Sequence, residues 1–302
     1  MTYRDQPEKD TNSKELSLDS REYKIILKPS IFKNNEKGRD KLVRIINNLA
    51  KGQHLVFESK LQDEKIRNTW YLDTKKKDLY YKNMFLLRIR EELDKEDDKV
   101  KGYDVTFKNR HPDRLLAGSY DVSNSNEKQN QDFSKKEIKF EEDILTPFTS
   151  KFSTSVKLEY ESLPMLKKYQ DLKLIFPNLN LNIFPEEKMR IVNGFVAYET
   201  SYTLGKLKFS DKSEARLQYS LWYKSEKSKS PVIAEFDIDL YANEAGKSNK
   251  TLLEGFSIAH LNQVYEFYQA FQQEDIVQSE DDEKTKSKSP KTKTQYAYKY
   301  KK

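Results

Sequence analysis

At 302 residues, with 34% charged and 36% hydrophobic side chains, the chain can hold one large domain or two ordinary ones, and no window approaches the roughly 18 continuous apolar residues of a membrane-spanning helix. The absence of cysteine excludes disulfides and thiolate metal sites, which fits a cytoplasmic address. A net charge of +6 permits an acidic partner without demanding one.

Residues 1–18 are polar, lack the apolar stretch of a signal peptide, and read as a disordered tail. Next comes a strand in which Glu22, Lys24 and Lys28 alternate with Tyr23, Ile25 and Leu27. From Arg39 to Ala50, Leu42, Ile45, Ile46 and Leu49 fall at helical spacing, with Gly52 as a stop. Further strands place Arg88 and Arg90 opposite Phe85, Leu87 and Ile89, and Asp104, Thr106, Lys108 and Arg110 opposite Val105 and Phe107. The polar segments 93–100 and 121–134 read as loops. Glu137, Lys139 and Glu141 then alternate with Ile138 and Phe140. Residues 160–175 carry a less regular helical period, with Pro164 near their start. Lys206 and Lys208 alternate with Leu207 and Phe209, and Glu235, Asp237 and Asp239 with Phe236, Ile238 and Leu240. Leu261, Val264, Tyr265, Tyr268 and Phe271 form the stripe of a last helix.

Residues 275–302 read as a disordered lysine-rich tail, with eight lysines and no acid from 284 onward. Its basic charge leaves nucleic acid open as a partner, and Tyr296, Tyr298 and Tyr300 could stack on bases. Between the tails, 19–274 reads as a single domain, because no Pro/Gly-rich linker divides it. There is no Gly-rich phosphate loop, and His54, His111 and His260 show no metal-ligand spacing.

Strand after strand therefore has one apolar and one charged face. An antiparallel sheet with one face in water would explain alternation alone. Solvated faces tend towards Ser, Thr and mixed polar residues, however, whereas guanidinium, ammonium and carboxylate groups recur here. The apolar faces also need a cover that the amphipathic helices can supply from outside. The expectation is an α+β fold: a closed β-barrel with helices packed outside and charges pointing inward.

Tyr71-Leu72-Asp73-Thr74, Asp78-Leu79 and Leu87-Arg88-Ile89-Arg90 resemble the Y-x-D-T, helical-turn and L-R-I-R run of the CYTH superfamily, the triphosphate tunnel metalloenzymes. Asn83 falls where that family has a turn glycine. Val105-Thr106-Phe107-Lys108 is similar to its T-x-K strand, Glu22-Tyr23-Lys24 to the end of its E-x-E-x-K signature, and Glu235-Phe236-Asp237 to its E-x-E strand.

The resemblance implies an eight-stranded antiparallel tunnel binding a triphosphate or polyphosphate along its axis. Lys24, Arg88, Arg90 and Lys108 would clamp phosphate, joined by Lys188 and Arg190 from the strand after Pro185. Glu22, Glu137, Glu235 and Asp237, with Glu141 in reserve, would hold Mg²⁺ or Mn²⁺, and Glu22 and Lys24 would be catalytic. Two positions depart from the pattern. The first signature Glu would fall at Ser20, and Arg216–Trp222 lacks the family's usual acid. The expected activity is metal-dependent hydrolysis of tripolyphosphate or an organic or nucleoside triphosphate. Alternatives are a non-catalytic domain binding polyphosphate, nucleotide or an RNA 5′-triphosphate, and an adenylyl cyclase.

Overall fold

The computed structural model describes residues 18–97, 99–120, 122, 133–210, 213–241, 256–278 and 292–301. β1 (Ser20–Leu27) leads to α1 (Asn35–Gly52), the long β2 (Val56–Asp73), the short α2 (Asp78–Asn83), β3 (Phe85–Leu93), β4 (Val100–His111) and α3 (Arg114–Ser119). β5 (Phe133–Leu145) and β6 (Thr149–Tyr160) form a hairpin, followed by α4 (Tyr169–Ile175) and the two-residue β7 (Arg190–Ile191). A meander of β8 (Ala197–Ser210), β9 (Ser213–Tyr223) and β10 (Ile233–Tyr241) precedes α5 (Ile258–Gln272) and α6 (Lys293–Lys299).

The fold is mixed α+β around one sheet ordered β3-β4-β6-β5-β1-β10-β9-β8-β2-β7, and β2 also pairs with β3. Nine strands thus pair in a ring, with β7 attached to the end of β2. The expected tunnel has eight strands, all antiparallel. Here the ring has nine, and the β1–β5 ladder is parallel, setting Ser20 opposite Glu141 and Glu22 opposite Asp143. β2 closes the ring because it is long enough to pair with β3 over Ile66–Leu72 and with β8 over Val56–Thr69, shifting register between Ser59 and Lys65. Opposite that irregularity Gly205 has φ 145°, and a Cβ there would lie 2.0 Å from the Glu58 carbonyl oxygen. Only glycine fits so close a backbone approach.

The period-two alternation sorts side chains as the sequence predicts. Tyr23, Ile25, Leu217, Phe236 and Ile238 face outward beneath Leu42, Ile45 and Ile46 of α1 and Val264, Phe267 and Phe271 of α5. On another flank Leu87, Ile89, Val105, Phe107, Val156 and Leu158 lie beneath Tyr169, Leu172 and Ile175 of α4. Burying each such side chain contributes roughly 1.5–3 kcal/mol, so the helices hold the ring shut from outside. The charged faces are left pointing inward.

Several boundaries shift for local reasons. α1 starts at Asn35 because Asn34 Oδ1 accepts from Lys37 N at 2.9 Å. The helical period over 160–175 yields a helix only at Tyr169–Ile175. Tyr160 still belongs to β6, and the helix begins where Asp171 Oδ2 accepts the Lys167 and Lys168 amides, each at 2.8 Å. Phe133 and Ser134, expected in a loop, open β5, whereas 121 and 123–132 lie outside the described residues.

The described part of the supposed C-terminal tail is ordered against the ring. Lys28 N donates to Ile276 O at 2.8 Å and Gln278 N to Ile26 O at 3.0 Å. In α6, Ala297 and Tyr298 are buried. The tyrosines that could have stacked on bases instead supply the apolar area for this docking: Tyr298 packs on Tyr80 with centroids 4.1 Å apart, and Tyr296 and Tyr300 flank Phe195. Residues 1–17 and 279–291 lie outside the described residues. Among those described, no helix is long and apolar enough to cross a membrane.

Candidate functional site

The Tyr71-Leu72-Asp73-Thr74 segment makes the corner that carries β2 into α2. Asp73 Oδ1 accepts the amides of Thr74 (2.7 Å) and Leu79 (3.0 Å), and Oδ2 accepts Tyr80 N (3.1 Å). Thr74 Oγ1 donates to Asp78 Oδ2 at 2.7 Å and accepts from Asp78 N at 3.0 Å. Asp73 therefore satisfies the first amides of α2, a capping role rather than a ligand's. The left-handed residue ending α2 is Met84 (φ 59°), not Asn83, whose amide donates to Asp78 O at 2.8 Å.

This corner sets the direction of β3, and Arg88 and Arg90 enter a cavity of about 440 Å³ inside the ring. Arg67 and Tyr71 reach it from β2, because Thr69 is paired with Arg90 and Tyr71 with Arg88. Five arginines (Arg67, Arg88, Arg90, Arg110, Arg216) and four lysines (Lys24, Lys65, Lys108, Lys293) line it with six carboxylates (Glu22, Glu141, Glu199, Glu235, Asp237, Asp239). A second chamber of about 530 Å³ shares Arg88, Arg90 and Lys108 with the first and continues between β4, β5 and β6.

The charges are not evenly matched. Arg90 Nε lies 3.5 Å and Arg67 Nε 3.7 Å from Glu199 Oε2, while Arg88 has only the Thr106 hydroxyl, at 3.3 Å, as a hydrogen-bond partner among the described residues. The Nε atoms of all three arginines are buried without a hydrogen-bond acceptor among the described residues. Burial, then the neighbouring Arg90, lowers Arg88 to about 10, and the same two causes lower Arg67. Burial works against the Glu199 charge, but Arg90, Lys293 and Arg67 hold that carboxyl well below its usual range.

Lys108 and Lys24 are committed elsewhere. Lys108 Nζ lies 3.0 Å from Glu141 and 3.8 Å from Asp143; Lys24 pairs with Glu22 and lies 3.4 Å from Asp143. Arg110 donates to Asp143 Oδ2 at 2.6 Å. Burial opposes the Asp143 charge, but Lys108, Lys24 and Arg110 hold its carboxyl far below the usual range.

On the facing wall, the β1–β10 register sets Glu22 against Asp239 and Lys24 against Asp237. Burial pushes Glu22 up to about 8; Lys24 opposes the rise, and Asp239 and Asp143 add to it. Burial, Glu235 and Glu22 raise Asp237 well above the carboxylate range. Asp237 Oδ1 and Asp239 Oδ1 are buried without hydrogen-bond partners among the described residues.

The four expected metal ligands do not converge. Glu137 faces the second chamber, 3.0 Å from Lys139 and 3.8 Å from Lys157, because the parallel β1–β5 ladder starts beyond it, at Glu141. Glu235 pairs with Lys293 at 3.0 Å. Among the described residues no three acidic or histidine side chains form a metal-sized group. Glu22, Asp237 and Asp239 line this wall without forming such a group, so a hard divalent cation there would need phosphate oxygens to complete its shell.

Lys188 and Arg190, expected to clamp phosphate, are not brought to the cavity. Both are exposed and line neither chamber. β7 lies outside the ring, and Met189 just before it is buried between the two, which turns its neighbours to solvent.

Residue-by-residue reading missed Arg67, Asp143, Glu199 and Lys293. Arg67 and Asp143 continue alternations already visible at Tyr71 and at Glu137–Glu141. Glu199 precedes the Lys206–Phe209 alternation, separated from it by the irregularity at Gly205. Ser220 and Gln218, in the stretch without an acid, face Glu235 and Asp237, and Glu199 enters from the next strand, opposite Trp222. Ser20 donates to Glu141 Oε1 at 3.2 Å.

Fold and cavity define a ring of strands whose enclosed, cation-rich interior is suited to a polyanion. No family model matches the chain, and no curated protein does. Among solved structures, a Hippeastrum protein described as showing a dominant triphosphatase activity is similar over 72% of this chain and 78% of its own, at 10% identity and a TM-score of 0.35. So distant a likeness says nothing of this chain's chemistry.

Proposed function

We propose that the ring works as a triphosphate tunnel of the CYTH type, and that the chain is a metal-dependent hydrolase of tripolyphosphate or of an organic or nucleoside triphosphate. The observation that carries the reading is the Arg67–Arg88–Arg90 group: three guanidinium groups from two adjacent strands, enclosed, with Glu199 as the one carboxylate, paired to Arg67 and Arg90. Burying such a group is costly unless an anion completes it. A triphosphate supplies several negative charges in a row, and guanidinium forks match phosphate oxygens.

In this reading the three arginines hold the phosphate chain and stabilise charge developing on the leaving phosphate, an effect strengthened by exclusion of bulk water. Lys108 and Lys24, already set by Asp143, fix the edge of the path. Glu22, whose carboxyl burial pushes up to about 8 and which pairs with Lys24, would accept a proton from the attacking water once ionised. Mg²⁺ or Mn²⁺ at Glu22, Asp237 and Asp239 would neutralise phosphate charge.

A second reading, binding without turnover, is favoured by Ser20, which puts a hydroxyl where the signature has a carboxylate. Phosphate release from tripolyphosphate with Mn²⁺, run beside calorimetry of the same ligand, separates the two. Turnover supports hydrolysis, heat without release supports the binding domain, and cyclic nucleotide from ATP supports the cyclase. The absence of both heat and release overturns the polyanion site.

A further inference from the structure

Lys293 is the first residue of α6, and its side chain enters the cavity from outside the ring. Its ammonium lies 3.0 Å from Glu235 Oε1, 3.2 Å from Glu199 Oε1 and 2.7 Å from Ser220 Oγ. Three hard oxygen atoms from β8, β9 and β10 thus surround one cation, the kind of donor set that also suits a small divalent ion. Beside it Asp237 Oδ1 is buried without a hydrogen-bond partner among the described residues.

The helix carrying this lysine is anchored on its far side. Asn193 Nδ2 donates to Ala297 O at 2.8 Å and to Tyr298 O at 2.9 Å, and Lys77 Nζ donates to Tyr298 O at 2.8 Å. The Tyr71 and Thr294 hydroxyls lie 3.0 Å apart. Burial disfavours the Lys293 charge, but Glu235 and Glu199 outweigh it and keep the amine protonated.

We propose that Lys293 is a built-in cation filling a divalent-cation position formed by Glu199, Glu235 and Ser220, so that removing its charge opens a new divalent-ion site there. An ammonium fixed by its helix sets one positive charge between the two carboxylates at every metal concentration. It also excludes Glu235 from the ion-binding role its strand position suggests, leaving Glu22, Asp237 and Asp239 for an added ion. The purpose of this arrangement rests on the triphosphate reading; the occupancy itself does not.

The test is an EPR-monitored Mn²⁺ titration of the full chain without any phosphate ligand. Lys293→Met is expected to take up an additional Mn²⁺, bound at least roughly tenfold more tightly than any ion the unaltered chain acquires at that position. Lys293→Arg, which keeps the charge, is expected to titrate like the unaltered chain. If Lys293→Met does not fold, Lys293→Gln, neutral and still able to donate a hydrogen bond, takes its place with the same expectation. A neutral variant that folds and binds Mn²⁺ with unchanged number and affinity overturns the proposal. Tripolyphosphate calorimetry on the unaltered chain keeps the two readings apart: its silence strikes the proposed function alone, and an unchanged Mn²⁺ titration strikes the Lys293 assignment alone.

Discussion

Tyr298 donates its hydroxyl to Asp73 Oδ2 at 3.0 Å, joining the end of the chain to the corner that aims β3 into the cavity. Burial, followed by the Asp73 charge, drives the Tyr298 phenol far above its usual titration range, so it stays a donor. Tyr298→Phe should cost about 1–2 kcal/mol, and Asp73→Ala, which also uncaps α2, about 2–3 kcal/mol. Urea unfolding of both variants and their double mutant should show non-additivity, and strict additivity would deny the link.

Arg88 has no carboxylate ion-pair partner among the described residues, so under the proposed function its charge would serve a bound anion rather than the stability of the fold. Arg88→Met is expected to weaken tripolyphosphate binding by roughly 10- to 100-fold while leaving the thermal midpoint equal or higher. Calorimetry and a melting scan check both halves. A large drop in midpoint would show that the guanidinium supports the ring itself.

Lys188→Ala with Arg190→Ala should change tripolyphosphate affinity by less than about twofold, since both charges lie in solvent where screening is strong. A tenfold loss by calorimetry would bring β7 into the binding path.

Glu22 gives a pH signature. Its carboxyl titrates at about 8 in the folded chain, against 4.5 ordinarily, so across that window the folded chain keeps a proton that the unfolded chain has released. The stability contributed by this group is complete below the ordinary value and is lost as pH rises through about 8. Glu22→Gln, always neutral, should flatten the fall of the melting temperature between those limits. An identical fall in variant and parent would contradict the buried placement.

The inward direction of Arg88, Arg90, Lys108 and Asp237 was legible because strand alternation is local: two residues per repeat decide which side chains share a face. The same rule put Phe236 and Ile238 under the helices. Over 160–175 it competed with a partial helical period, and there hydrogen bonding by Asp171 and the extension of β6 to Tyr160 set the outcome.

The sequence by itself determined that charged faces exist and which cations they carry. Ring closure, strand number and register determined which acid meets which cation: Glu199 with Arg90, Asp143 with Lys24 and Arg110, Lys293 with Glu235. Such pairings join residues far apart in the chain, and one step of register would exchange every partner. Composition could not place Lys293 at all, because a lysine-rich segment looks solvated until three tyrosines find apolar surface on another part of the molecule.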